Sequence, residues 1–290
     1  MLKKIKKAVL FVLHNIPTKK VTAQVCTLGE TELLKERVAL ISGGTSGIGL
    51  EIAKAFLHSG AIVIITGRTQ SKIDNIVQSL TSHKAQTRKD KVYGIEMNVR
   101  QPSYFKSKIR EAEKLCQRKI DILVNCAGVL GGAAARVNEE EYDAIEETNL
   151  KGPFFLTREY AKYLIGNKIE GNILNILSSS SFRPANSVYG VTKWGMRGFT
   201  EGMARSLAPY KIIVNAIAPG PTLTPMLSED GDNNINRPNS LLGRLILPEE
   251  IASMAVIMCS KIGQPLLGQV LCMTGGSGNI TNEDYNYSFD

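Results

Sequence analysis

The amino-acid sequence predicts an α/β protein: a single doubly wound domain with a mostly parallel, seven-stranded sheet and helices on both faces. From residue 37 onward, short β-branched runs alternate with longer amphipathic stretches. The short runs are apolar almost throughout, which is typical of strands that helices cover on both faces. No internal repeat or linker divides the pattern, and 290 residues with 43% hydrophobic residues can bury one large core.

Seven strands are predicted, with crossover helices in the amphipathic stretches between them. The strands are RVALIS (37–42), AIVIIT (61–66), KVYGIEM (91–97), IDILVN (120–125), GNILNILS (171–178), KIIVNAI (211–217) and GQVLCM (268–273). We expect a basic amphipathic extension over residues 1–35, the α/β domain over 36–277 and a polar tail over 278–290. The polar segment 228–240 is expected to be a surface loop or a lid.

The basic excess of the chain lies mostly in its first twenty residues. The formal net charge is +8. Six lysines precede any acidic residue: Lys3, Lys4, Lys6, Lys7, Lys19 and Lys20. The rest of the chain is therefore close to neutral, which argues against a nucleic-acid partner. The apolar residues of the extension form one helical stripe. This stripe fits packing on its own domain or on a partner subunit, or a peripheral membrane contact through residues 1–20.

The cysteines and histidines exclude several chemistries. The five cysteines are scattered without a Cys-x-x-Cys pair, which favours a reducing, cytoplasmic compartment over disulfides or a zinc site. None of the three histidines (His14, His58 and His83) stands at the spacing of a serine-hydrolase site or of a set of metal ligands. Another group must then supply the proton, and an organic cofactor is expected to supply the redox chemistry.

The first predicted strand runs directly into SGGTSGIGLEIAKAF, which places Gly43, Gly47 and Gly49 at a strand-to-helix turn. Glycines at such a turn allow the backbone to approach a pyrophosphate closely. The helix that follows offers free N–H groups and a favourable dipole to the phosphates. This turn predicts a dinucleotide site.

The end of the second strand indicates which dinucleotide is bound. Gly67 and Arg68 lie where an adenosine ribose is expected, and no carboxylate is present there to accept a bond from a free 2′-hydroxyl. An arginine pairs with a 2′-phosphate, so NADP(H) is favoured over NAD, although a solvated arginine in a turn is the alternative. Asn98, after the third strand, is expected to hydrogen-bond the adenine.

A phenol and an ammonium share one helical face in the segment NSVYGVTKWG (186–195). Tyr189 and Lys193 are four residues apart, a spacing that makes side chains neighbours on a helix. A phenol alone protonates a carbonyl poorly at neutral pH, and a neighbouring cation stabilises the phenolate. The pair therefore predicts a general acid for carbonyl reduction, unless it is merely a surface pair.

With these motifs in order, the sequence resembles the classical short-chain dehydrogenase/reductase family over about residues 36–276. SGGTSGIG is similar to the family's glycine motif, NCAG (125–128) to its Asn-Asn-Ala-Gly motif, and YGVTK (189–193) to its Tyr-x-x-x-Lys. APGPTLT resembles its Pro-Gly segment, and Asn149 matches its helix-four asparagine. The departures are Cys126 in place of the second asparagine and TGG (274–276) in place of Asp-Gly-Gly.

The resemblance implies a Rossmann-type fold and a division of roles. Tyr189 is the general acid and base, Lys193 binds the nicotinamide ribose, Ser178 binds the substrate oxygen, and Asn149 supports a water linked to Lys193. Ser179 and Ser180 remain alternatives to Ser178, because LSSSSF offers adjacent hydroxyls. Together with the motifs above, the resemblance assigns these cofactor-binding residues: Gly43, Thr45, Ser46, Gly47, Ile48, Gly49, Arg68, Asn98, Val99, Asn125, Ala127, Gly128, Tyr189, Lys193, Pro219, Gly220, Thr222 and Thr224.

The expected activity is the NAD(P)(H)-dependent interconversion of a small-molecule carbonyl and a secondary alcohol. A 3-oxoacyl thioester and a sugar or polyol are both open as substrates, because specificity in this family lies largely in a loop, here about 222–247. A catalytically silent, redox-sensing nucleotide-binding protein and a membrane-tethered subunit are the alternatives. The resemblance also implies a homodimer or homotetramer, paired through residues 138–165 and 187–208.

Overall fold

The seven predicted strands form one sheet in the computed structural model, which describes residues 31–81, 91–226, 234–238 and 240–276. The strands are β1 (Val38–Ser42), β2 (Ile62–Gly67), β3 (Val92–Glu96), β4 (Ile122–Asn125), β5 (Gly171–Ile176), β6 (Ile212–Pro219) and β7 (Val270–Met273). Their order is β3-β2-β1-β4-β5-β6-β7, and every neighbouring pair is parallel. The predicted doubly wound α/β fold is confirmed.

Helices cover both faces of this sheet. They are α1 (Gly47–His58), α2 (Gln70–Leu80), α3 (Phe105–Cys116), α4 (Glu139–Glu146), α5 (Gly152–Asn167), α6 (Val188–Leu207) and α7 (Pro248–Cys259), with a π-type turn at Glu147–Lys151 between α4 and α5. One apolar core lies between the sheet and α1, α2 and α7, and a second lies under α3, α5 and α6. The near-continuous apolar character of the strands follows from this double covering.

The strand order reverses between β1 and β4, because β2 and β3 lie on one side of β1 and β4 to β7 on the other. In open parallel sheets the crossover helices diverge at such a point, which leaves a crevice above the carboxyl ends of the two central strands. The glycine turn follows β1 and the NCAG segment follows β4. Topology therefore brings both motifs to the same crevice.

A charged cluster lies at the amino ends of the central strands, opposite the crevice. The Arg37 guanidinium donates to the Asp121 carboxylate, to the Cys259 carbonyl at 3.0 Å and to Asn172 Oδ1 at 2.8 Å. Asp121 also accepts from the Val38 N–H at 2.8 Å. Burial raises the pKa of Asp121, and the adjacent guanidinium opposes that rise. The cluster is partly buried and joins the amino ends of β1, β4 and β5 to the end of α7.

Several predicted segments lie wholly or partly outside the described residues. Residues 1–30 and 277–290 do so, and with them the amphipathic stripe and the membrane contact predicted for residues 1–20. Leu34, ahead of β1, is fully buried in the core. No helix in the described ranges is long and apolar enough to cross a bilayer. The predicted loop or lid at 228–240 is described only at 234–238 and 240, where Ile235 accepts a backbone hydrogen bond from Leu245 at 2.8 Å.

Candidate active site

A groove lies at the carboxyl ends of the central strands, and most of the predicted cofactor-binding residues line it. These are Gly43, Thr45, Ser46, Gly47, Ile48, Gly49, Arg68, Asn98, Val99, Ala127, Gly128, Tyr189, Lys193 and Thr224. Further lining residues were not predicted as contacts: Lys72, Met97, Cys126, Val129, Thr148, Ile176, Pro225 and Met226. The glycine turn, the NCAG segment and the Tyr-Lys pair therefore share one groove.

The glycine turn has the backbone geometry that a bound pyrophosphate requires. Gly43 and Gly47 adopt positive φ angles of 71° and 53°, which side chains disfavour. A Cβ on Gly49 would lie only 2.3 Å from the Gly43 carbonyl oxygen, so the turn closes only with glycine there. The first turn of α1 has no side-chain cap and no acidic residue. Its N–H groups therefore fit an anionic group, as the phosphates of a dinucleotide would be.

Ser42 connects the glycine turn to the end of β4, and the sequence analysis did not single it out. Its hydroxyl oxygen accepts hydrogen bonds from the N–H groups of Cys126 and Ala127, at 3.1 and 3.4 Å. Its position as the first residue of the glycine motif was the available signal. Burial raises the pKa of the neighbouring Cys126 thiol to about 12, which disfavours its thiolate form.

Two cations lie at the end of the groove next to β2, where the sequence predicts the adenosine ribose. Arg68 follows β2, and Lys72 stands four residues later on α2. No residue in the described lining of the groove is acidic. Asn98 Oδ1 accepts a hydrogen bond from the Arg100 N–H at 3.0 Å, which fixes this side chain at the end of β3. The electrostatics of this end suit a phosphate better than a neutral hydroxyl.

Tyr189 and Lys193 lie at the other end of the groove, on the first turns of α6. Ser187 caps this helix and accepts from the Gly190 N–H at 3.1 Å. Lys193 is only 6% exposed, and its Nζ donates to the Ile176 carbonyl at 3.0 Å. The Nζ lies 5.6 Å from the centre of the Tyr189 ring. The predicted pairing of ammonium and phenol is therefore present, and the ammonium is largely shielded from water.

Asn149 stands behind this pair and fixes the chain that leaves β4. It lies in the π-type turn Glu147–Lys151, a feature that is frequent at functional sites. Its side-chain amide accepts from the Val129 N–H at 2.9 Å and donates to the Val129 carbonyl at 2.8 Å. A Cβ on Gly128 would lie 3.4 Å from Asn149 Oδ1 and 3.8 Å from Lys193 Nζ. Asn149 thus holds the backbone that borders the ammonium.

The three candidate serines and the neighbouring Ser181 differ in what their hydroxyls bind. Ser179 and Ser181 are buried; the Ser179 oxygen accepts from Arg183 at 3.3 Å, and the Ser181 hydroxyl donates to the Lys193 carbonyl at 3.0 Å. Ser178 and Ser180 are half-buried. Ser178 accepts from the Ser180 N–H at 3.1 Å, which leaves the hydroxyl proton for another acceptor. Ser178 also lies two residues after Ile176, which lines the groove.

Four predicted cofactor residues do not line the groove. Asn125 directs its side chain into the core, where it donates to Thr157 and Asn175. Pro219 ends β6, and the Gly220 N–H donates to the Met273 carbonyl at 2.8 Å. The Thr222 hydroxyl donates to the Gly220 carbonyl at 2.9 Å. The roles assigned to these four residues stay predictions, and Thr224 is the residue of the Pro-Gly segment that reaches the groove.

Known proteins resemble this chain over most of its length. The family model described as short chain dehydrogenase matches residues 37–235. A 3-oxoacyl-(acyl-carrier-protein) reductase from Aquifex aeolicus is 31% identical over 249 residues, which cover 84% of this chain and 98% of that protein. An L-rhamnose 1-dehydrogenase (NADP+) from Thermoplasma acidophilum is 31% identical over 252 residues, with 83% and 96% covered.

A solved structure of actinorhodin polyketide ketoreductase with NADPH has the same fold, with a TM-score of 0.76 and 29% identity over 84% of this chain and 98% of that one. A short chain dehydrogenase from Bacillus anthracis also gives a TM-score of 0.76, with 29% identity over 87% of this chain and all of that one (100%). Sequence and fold therefore point to the same relatives.

Proposed function

The chain belongs to the short-chain dehydrogenase family of oxidoreductases, and on that basis we propose that it interconverts a carbonyl and a secondary alcohol with NADP(H). This proposal rests mainly on the position of Lys193. Its buried ammonium lies beside Tyr189, at the end of a groove that fits a dinucleotide. A silent nucleotide-binding protein has no use for such a pair. The presence of Ser178, Tyr189 and Lys193 together favours the enzyme.

A nicotinamide held in the groove would supply the hydride for reduction and would accept it in the reverse direction. Tyr189 donates the proton to the carbonyl oxygen, or removes it from the alcohol. Lys193 stabilises the phenolate that this transfer leaves behind and offers its remaining N–H bonds to the nicotinamide ribose. Ser178 donates a hydrogen bond to the substrate oxygen. Asn149 keeps the backbone at Val129 in place beside the reacting groups.

The preference for NADP(H) over NAD is supported by charge at the adenosine end. Arg68 and Lys72 both line the groove there, and both are exposed, so they are available to a ligand. The 2′-phosphate of NADP(H) would form charge-assisted hydrogen bonds with them, whereas the 2′-hydroxyl of NAD would meet no carboxylate in the described lining. The relatives include an NADP+-dependent enzyme and a ketoreductase solved with NADPH.

A 3-oxoacyl thioester is the substrate that we favour. Val129, Pro225 and Met226 line the groove together with Tyr189, and Met226 is 50% exposed. These apolar side chains suit an acyl chain better than a polyol, which needs several hydrogen-bonding partners. A reductase of 3-oxoacyl groups is among the relatives, but so is a rhamnose dehydrogenase. A sugar or polyol is therefore the alternative substrate.

The cysteines favour a reducing compartment. Cys116, Cys126, Cys259 and Cys272 are free thiols in the described residues, and two of them are fully buried in the core. Free cysteines are typical of cytoplasmic proteins, so we propose a cytoplasmic location. The peripheral membrane contact of residues 1–20 stays a prediction.

We also propose a homodimer or homotetramer that pairs through α5 and α6. Phe154, Val191 and Trp194 are exposed large apolar residues on these helices, and the Phe154 ring packs on Phe199 with centroids 4.6 Å apart. Apolar residues grouped on one face often mark a subunit interface. Light scattering at micromolar concentration should give at least twice the chain mass of 31.7 kDa. A mass equal to one chain would contradict the proposal.

The proposed mechanism predicts different defects for Tyr189→Phe and Lys193→Ala. Tyr189→Phe keeps the ring but removes the proton donor, so kcat should fall about 10²–10⁴-fold while NADPH still binds. Lys193→Ala removes the ammonium from both phenol and ribose, so turnover and NADPH affinity should fall together. Turnover is followed by NADPH absorbance, and binding by quenching of Trp194, the only tryptophan of the chain.

The matched control is Tyr210→Phe, an exposed tyrosine that ends the short turn after α6, which should change neither quantity. Tyr189→Phe with more than about a tenth of the wild-type kcat would be incompatible with the mechanism.

The cofactor proposal predicts tighter binding of NADPH than of NADH. Replacing Arg68 with alanine should weaken NADPH binding about 10–100-fold, the usual loss for a hydrogen bond to a charged group, and Lys72→Ala should have a similar but smaller effect. NADH binding should change little in either variant. Lys211→Ala, at an exposed ion pair far from the groove, is the control. Equal affinity of the wild type for the two nucleotides would refute the preference.

A further inference from the structure

A row of buried polar side chains crosses the core between the central strands and two helices. Asn125 on β4 and Asn175 on β5 lie directly opposite each other in the sheet. The Asn125 side-chain amide donates to Asn175 Oδ1 at 2.8 Å and to Thr157 Oγ1 on α5 at 2.9 Å. The Asn175 amide donates to Thr200 Oγ1 on α6 at 2.9 Å. All four residues are buried.

This row stands out because its surroundings are apolar. Leu123 and Ile173, two residues earlier on the same strands, and Ala204, four residues later on α6, belong to the apolar core of that face. Apolar contacts between a helix and a sheet tolerate small sliding, whereas a buried amide must keep its partner within a narrow range of distance and angle. The hydrogen bond from Asn175 to Thr200 therefore fixes the position of α6 along the direction of β5.

The same helix carries the catalytic pair, and it is tied to β5 at a second point. Lys193 donates to the carbonyl of Ile176, the residue after Asn175. Lys193 and Thr200 are seven residues apart, which is two helical turns and therefore the same face of α6. Two hydrogen bonds, one donated by Asn175 and one accepted by the Ile176 carbonyl, thus hold α6 against β5.

We propose that Asn175 and Thr200 are positioning residues, which hold α6 at the height where Lys193 reaches the Ile176 carbonyl and Tyr189 reaches the groove. This inference builds on the proposed function, because it assigns the reacting groups to α6. Neither residue lines the groove, so both act through Lys193 and Tyr189.

Thr157 provides a matched control within the same network. Thr157 and Thr200 each accept one hydrogen bond from a buried asparagine amide, at the same distance of 2.9 Å. Replacing either with valine leaves one amide hydrogen without an acceptor in the core. The two changes differ in the helix they release: Thr157 belongs to α5, whereas Thr200 belongs to α6.

The experiment compares Thr200→Val, Thr157→Val and Thr200→Ser in the full-length chain. Both valine variants should lower the melting temperature by a similar few degrees. Only Thr200→Val should lower kcat, by tenfold or more, because small displacements of reacting groups are costly in rate. It should also weaken NADPH binding, measured by Trp194 quenching, since Lys193 moves with the helix. Thr200→Ser keeps the hydroxyl and should restore both quantities.

Two outcomes would overturn the inference. In the first, Thr200→Val, assayed well below its melting temperature, keeps more than half of the wild-type kcat and of the wild-type NADPH affinity. In the second, Thr157→Val loses as much kcat and as much NADPH affinity as Thr200→Val does. Should Thr200→Val not fold, Thr200→Ala is compared with Thr157→Ala by the same criteria. If the wild type reduced no carbonyl, the proposed function would fail, and the difference in NADPH affinity between the two valine variants would still decide the inference.

Discussion

The burial of the Lys193 ammonium is the constraint on which the arrangement of the site depends. A charge shielded from water needs partners, and among the described residues the Ile176 carbonyl accepts one of its three N–H bonds. Gly128 borders the ammonium, since a Cβ there would lie 3.8 Å from Lys193 Nζ, and Asn149 holds the backbone after β4. A ribose and a phenolate are the kinds of group that would satisfy the remaining N–H bonds. The ammonium thereby couples the position of the cofactor to the position of the proton donor.

Contacts at both ends of the strands hold the elements around Lys193 in place. At the carboxyl ends of the strands, the reversal of strand order opens the crevice, and Ser42 holds the chains leaving β1 and β4 together. At the amino ends, the Arg37 guanidinium joins β1, β4 and β5 to α7 through three hydrogen bonds. Between them, the amides of Asn125 and Asn175 connect the sheet to α5 and α6. The apolar cores supply most of the stability, but these polar contacts determine the alignment of the elements that carry the site.

The sequence was most informative where a function needs a local pattern. The glycine turn and the Tyr-Lys spacing were predicted because one strand-to-helix turn and one helical face contain them, and each strand was located by its apolar run. The end of β5 was predicted at Ser178, but the strand stops at Ile176 because Ser178 caps a short helical turn. The sequence did not point to Lys72, Ser42 or Thr200. The hydrogen-bond partners of Ser42 and Thr200 are distant in the chain, and the ligand proposed for Lys72 is not part of the chain. Pro219 pairs with Met273 of β7, and the Gly220 N–H donates to the Met273 carbonyl; the cofactor roles assigned to Pro219 and Gly220 stay predictions.

Whether the chain is an NADP(H)-dependent carbonyl reductase is decided by the oxidation of NADPH by the wild-type chain with a panel of carbonyl compounds, including a 3-oxoacyl thioester and an aldose. We expect NADPH to be consumed with the thioester, with one hydroxyacyl thioester formed for each NADPH oxidised. Reduction of the aldose alone would keep the mechanism and change the substrate. If NADPH bound tightly and no carbonyl in the panel oxidised it, the central claim would be contradicted, because a silent nucleotide-binding protein would behave in that way.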